Sequence, residues 1–183
     1  QISLGRFMQP IYWRIRGDIP VPSVIGFLSY FFLACATCVV CSLLGLTRRS
    51  SLLMLCMALT GNATFAIANS SYISWTDVYM LSFLCCAFCV YVTAKYRFGF
   101  LGGVLILFAG LGLYQSYLET AIVLFLLVLI RMTLEKQTLR DVILFGLKAL
   151  FVLLTALLLY AAVYSLSLRL TGIQAQSAYN GLA

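Results

Sequence analysis

Histidine is absent from this 183-residue chain, and charged side chains make up only 9% of it. The first absence excludes haem ligation, histidine-based metal sites and histidine-dependent acid–base catalysis within the sequence. The second excludes an ordinary soluble domain, which carries about 25% charged residues; a chain that is 63% hydrophobic has too little polar side chain to cover a surface facing water. Also missing are the short alternating segments of a membrane β-barrel, any internal repeat, and any nucleotide-binding motif. The chain opens on Gln1, with no charged leader and small-residue cleavage site before its first hydrophobic block. We therefore expect a piece of a longer protein, with at least one helix upstream.

What the sequence does have is long apolar blocks, and a bilayer core about 30 Å thick takes roughly 20 apolar residues per helix. The pattern predicts an all-α, polytopic transmembrane helix bundle of about six helices. They are drawn at Val24–Leu46, Leu52–Ser70, Val78–Ala94, Phe98–Leu113, Leu118–Ile130 and Val142–Leu168, with the fourth and fifth short. Residues 1–20 form an outer loop segment, 21–170 the membrane domain, and 171–183 an outer polar tail.

Charge placement supports that drawing. The loops after the first, third and fifth helices carry Arg48, Arg49, Lys95, Arg97, Arg131, Lys136 and Arg140, while those after the second and fourth carry no Lys or Arg. Lys and Arg accumulate in cytoplasmic loops, so the first set is read as cytoplasmic. The net charge of +7 then reports orientation, not nucleic-acid binding. The alternation requires the chain to turn at Tyr114–Tyr117. Seven cysteines include Cys35-x-x-Cys38-x-x-Cys41 and the group Cys85, Cys86 and Cys89. That spacing can hold metal or an iron–sulfur cluster, but each thiol lies in an apolar run, and small packing residues are the plainer reading.

Few residues remain to carry chemistry. Arg6, Arg14 and Arg16 lie on the outer side, against the usual bias. An arginine there can bind a phosphate or simply pair with an outer acid or headgroup. Asp77, after Trp75, can favour a helix N-terminus or act as a general base, and Trp75 can stack on a sugar or anchor at the interface. Glu119 follows a polar turn between short apolar helices and would share a face with Gln115 if the helix were continuous through the turn; an ionisable group at such a place usually faces an interior cavity. Asp18 is the remaining outer acid. Asn62-Ala-Thr64 and Asn69-Ser-Ser71 match the glycosylation acceptor pattern but fall in or beside a membrane helix, and are read as chance.

Leu4-Gly5-Arg6, an aromatic-rich stretch, and Ile19-Pro20-Val21-Pro22 leading into a helix resemble the outer loop of the Gtr-type, serotype-converting glucosyltransferases. Gly112-Leu113-Tyr114-Gln115-Ser116-Tyr117 is similar to that family's short G-x-Y-Q turn. The resemblance implies a GT-C-like membrane enzyme on the outer face. It would move glucose from undecaprenyl phosphate glucose to a lipid-linked O-antigen or related surface glycan, as in lipopolysaccharide modification, in the bacterial inner membrane. Gly5, Arg6, Pro20, Pro22, Tyr114 and Gln115 carry over. The family's acidic motif, often paired aspartates upstream of Gly-Arg, would precede Gln1. Within this chain Glu119 and Asp77 are the catalytic candidates, and Arg6, Tyr114, Gln115, Trp75 and Asp18 the substrate-binding ones. No cofactor is indicated, and a divalent metal is left open. The competing reading is a multi-helix transporter or flippase subunit for a lipid-linked or small substrate; paired broken helices in two halves would favour it, and only one such break is visible.

Overall fold

A computed structural model describes residues 2–17, 21–62, 65–67, 70 and 73–172. Asp18 and Pro20, the acceptor-pattern residues Thr64, Asn69 and Ser71, and the tail 173–183 lie outside the described residues. The fold is an all-α bundle, and among the described residues there is no strand.

A short 3-10 turn, Ile2–Leu4, precedes helix α1, Gln9–Arg16. The hydrophobic pattern does not predict α1, because it is too short to form an apolar block. It buries Gln9 and exposes Ile11, Arg14 and Ile15. Helix α2, Pro22–Leu44, starts with proline, whose missing N–H is unpaired in a first turn in any case, and ends at Gly45 in the left-handed region, φ 64°. Helix α3 is Arg49–Thr60. The sequence predicts one helix over Leu52–Ser70, but the structure breaks it at Gly61, where helical order stops before resuming at residues 65–67. Glycine is about 1 kcal/mol less favourable than alanine inside a helix, and Asn62 beside it favours local turns over helix.

Helix α4 is Thr76–Lys95, preceded by the 3-10 turn Ile73–Trp75; helix α5 is Gly99–Leu113. A further 3-10 turn, Gln115–Tyr117, runs directly into helix α6, Leu118–Leu134, and helix α7 is Leu139–Thr171. Thr138 caps α7 by accepting from the Asp141 N–H. Among the described residues, four segments are long and apolar enough to cross a membrane: Pro22–Leu44, Thr76–Lys95, Gln115–Leu134 and Leu139–Thr171. The fourth helix of the sequence drawing is short as expected, being α5, but the fifth is not, because the helix after the turn continues four residues past Ile130; the other short apolar helix is α3. With many leucines of α7 exposed along its length, the chain is an integral membrane protein.

Helix α4 is the axis of the bundle. Val78, Met80, Phe83, Cys86, Ala87, Cys89 and Val90 are buried along it. Helix α5 packs on α4 through glycine: a Cβ on Gly99 would collide with the Val92 carbonyl, one on Gly103 with Thr93 Oγ1, and one on Gly110 would come within 3.0 Å of Cys85 Cβ. Small residues on both helices let the backbones approach, which is how helices associate where lipid supplies no hydrophobic drive between them. The second cysteine group thus packs against α5. All seven thiols are free, and among the described residues no three Cys, Asp or Glu side chains converge to hold a metal ion.

At one end of the bundle, the C-terminal ends of α2, α4 and α6 meet around a recess lined by Ser42, Lys95, Arg131 and Glu135. The N-terminal segment and the turn between α5 and α6 meet at the other end.

Candidate functional site

The end carrying that turn contains a cavity of about 920 Å³. Its polar lining includes Asn62 and brings Arg6 of the N-terminal segment beside the α5–α6 turn, more than a hundred positions away, and the physical reason those two stretches meet lies in the end of α5. A helix C-terminus leaves its last carbonyls without helical partners. Here they are taken by residues from elsewhere: the Met8 N–H donates to Gly112 O at 3.0 Å, Gln9 Nε2 donates to Leu113 O at 2.9 Å, and Ser82 Oγ donates to Gly110 O at 2.9 Å. Gly112 allows the approach, since a Cβ there would sit 2.6 Å from Met8 Cγ and 2.9 Å from Phe7 Cε2.

The residues before Met8 are held as closely. Tyr164 Oη donates to Ser3 O at 2.9 Å, Gln115 Nε2 to Leu4 O at 3.1 Å, and Tyr160 Oη to Gly5 O at 3.1 Å. Gly5 has φ 79°, in the left-handed region that favours glycine, and a Cβ would run into the Tyr160 hydroxyl. Arg6 follows directly. Its guanidinium carbon lies 4.5 Å from the centre of the Tyr114 ring, a cation–π contact of about 0.5–2 kcal/mol. Tyr114 in turn packs on Tyr79 at 4.5 Å and Tyr117 at 5.8 Å. Arg6 Nε is buried with no hydrogen-bond partner, so part of its donor capacity is unspent where the side chain lines the cavity.

Glu119 lines the same cavity from the first turn of α6. It is exposed, and among the described residues its carboxylate has no hydrogen bond or ion pair. The helix N-terminus favours its negative charge. The structure thus brings together Arg6, Tyr114, Gln115 and Glu119.

Asp77 and Trp75 are not among the residues lining this cavity. Asp77 is fully buried, and both carboxylate oxygens are engaged: Oδ2 accepts from Arg16 Nη1 at 2.8 Å and from Tyr12 Oη at 2.9 Å, and Oδ1 accepts from the Val78 N–H at 2.9 Å. Burial and the neighbouring carboxylate push the Tyr12 phenol above its usual range, which keeps it a donor to Asp77. Trp75 packs on Trp13 with ring centres 4.7 Å apart. The two pairs pin α1 to the start of α4. Asp18 lies outside the described residues.

Sequence reasoning missed Tyr160 and Tyr164, which sit in a leucine-rich helix read only as a span. Their spacing of four, one above the other on a helix face, was the available signal. Gln9, fully buried against the end of α5, gave none.

The family model described as Glucosyl transferase GtrII matches residues 1–182. No curated protein and no solved structure matches the chain.

Proposed function

The chain belongs to the GtrII glucosyl transferase family, and from that premise we propose that it transfers glucose from undecaprenyl phosphate glucose to a lipid-linked O-antigen or related surface glycan, on the outer face of a bacterial inner membrane. The observation that carries this reading is the meeting on one cavity of Arg6, with its buried Nε unpartnered, and the Glu119 carboxylate, which has no ion pair among the described residues. Attack of an acceptor hydroxyl on the anomeric carbon forms the new C–O bond and breaks the bond to phosphate, whose oxygen keeps the electron pair. The acceptor proton needs a carboxylate to receive it, a role we give to Glu119. The departing polyprenyl phosphate needs a cation already in place, a role we give to Arg6. Tyr114 offers a flat surface with a polar tip for the sugar, and Gln115 holds the arginine-bearing segment from below. Asp77, with both oxygens occupied, is given the anchoring role for α1.

The test is transfer from undecaprenyl phosphate glucose in membranes. Arg6→Ala is expected to lower kcat/KM on the order of 100-fold, the usual cost of removing a group that steadies developing charge. Arg14→Ala, which alters an exposed side chain outside the cavity, is expected to leave it within about twofold. Lysine at position 6 is not expected to rescue, because the planar fork of the guanidinium is lost. Equal rates for wild type and Arg6→Ala at limiting donor would refute the assignment.

A further inference from the structure

The backbone that presents Arg6 is gripped from α7 on both sides of the residue. Tyr160 donates to the Gly5 carbonyl at 3.1 Å and packs its ring on Phe7 at 5.7 Å. One turn on, Tyr164 stacks on Tyr160 at 6.1 Å and donates to the Ser3 carbonyl at 2.9 Å. A peptide unit is planar, so fixing the Gly5 oxygen also fixes the orientation of the Arg6 nitrogen and Cα. Gly5 carries φ 79°, a conformation that a glycine in a free segment would exchange readily for others. The hydroxyl of Tyr160 removes that freedom where it would swing Arg6 away from the Tyr114 ring. Helix α7 contributes none of the residues lining the cavity, so these contacts act on the site only through the N-terminal segment.

We propose that Tyr160, supported by Tyr164, is the positioning residue for Arg6: its hydroxyl locks the Gly5–Arg6 peptide so that the guanidinium stands over Tyr114 ready for a phosphate. This rests on the assignment of Arg6 to the donor phosphate. The alternative is that the two hydroxyls merely satisfy themselves on nearby carbonyls in a membrane helix, where an unpaired polar group is costly. That alternative predicts no energetic coupling to Arg6.

The experiment is a double-mutant cycle read in kcat/KM for undecaprenyl phosphate glucose, with thermal unfolding in detergent measured on each protein. Tyr160→Phe keeps the ring and removes only the hydroxyl. Its kcat/KM is expected to fall about tenfold, the scale of one lost hydrogen bond. In the Arg6→Ala background the same change is expected to cost less than about twofold, because residues acting as a unit are non-additive. Tyr164→Phe, which acts one step further from Arg6, is expected to show a smaller loss with the same coupling, and serves should Tyr160→Phe fold poorly. Equal losses in both backgrounds, or full kcat/KM in Tyr160→Phe and Tyr164→Phe, would overturn the positioning role alone. Full kcat/KM in Arg6→Ala would overturn the role of Arg6 and the positioning role with it.

Discussion

Arg16 and Asp77 illustrate how a polar residue in a membrane protein can be essential to the fold without touching substrate. The pair is 2.8 Å apart, with side chains 6% and 0% exposed. Removing one partner of a buried pair leaves an uncompensated charge and costs about 3–5 kcal/mol. Asp77→Asn is therefore expected to lower the thermal unfolding temperature in detergent markedly, while specific activity per folded molecule stays within about threefold of wild type. Melting and transfer measured on the same preparation check this. An unchanged melting temperature with abolished transfer would give Asp77 the catalytic role that the sequence also allowed. The sequence already held the anchoring alternative: an outer arginine with an outer acid to pair with, and an acid in the first turn of a helix. It could not show that Tyr12 and Trp13 complete the anchor, because those contacts span more than sixty positions and obey no local period.

At the scale of elements, apolar block length identified the main spans, and charge identified the turns. The break at Gly61 was hidden because the hydrophobic pattern runs through it, and the far limit of α6 was hidden because Arg131 looked like the start of a loop. Arg131 is instead the last-turn cation of α6. Its Nη1 donates to the Leu43 carbonyl at 2.6 Å and its Nε to Glu135 at 2.7 Å, so one side chain caps the C-terminus of α2 and ties it to α6. That hydrogen bond holds Glu135 below the usual carboxylate range. Gly45 leaves room for the guanidinium, since a Cβ there would lie 2.9 Å from its carbon. These contacts gather the basic loops at one end, and the positive-inside bias predicts that this end is cytoplasmic. In a cysteine-free background, Lys136→Cys is expected to resist a membrane-impermeant maleimide added from outside, and Ser116→Cys to react with it. Labelling of position 136 from outside would contradict the proposed orientation.

Across the whole molecule, the two short motifs that suggested a glucosyltransferase, Gly5-Arg6 and Gly112 to Gln115, become one structure: Gln115 holds Leu4, Tyr114 underlies Arg6, and Gly112 admits Phe7 and Met8. The individual residues were legible because glycine, arginine and a polar turn stand out against an apolar background. Their convergence was not, because it depends on how the unpaired carbonyls at the end of α5 are satisfied, and that is decided by tertiary contact. The central claim is that this convergence forms the site of transfer, with Glu119 receiving the acceptor proton. It is tested most directly by specific transfer activity of Glu119→Gln, with membrane protein level measured alongside. A side chain of the same shape that cannot take the proton is expected to lower turnover by about 100-fold or more at unchanged protein level. Wild-type specific activity in Glu119→Gln would contradict the account.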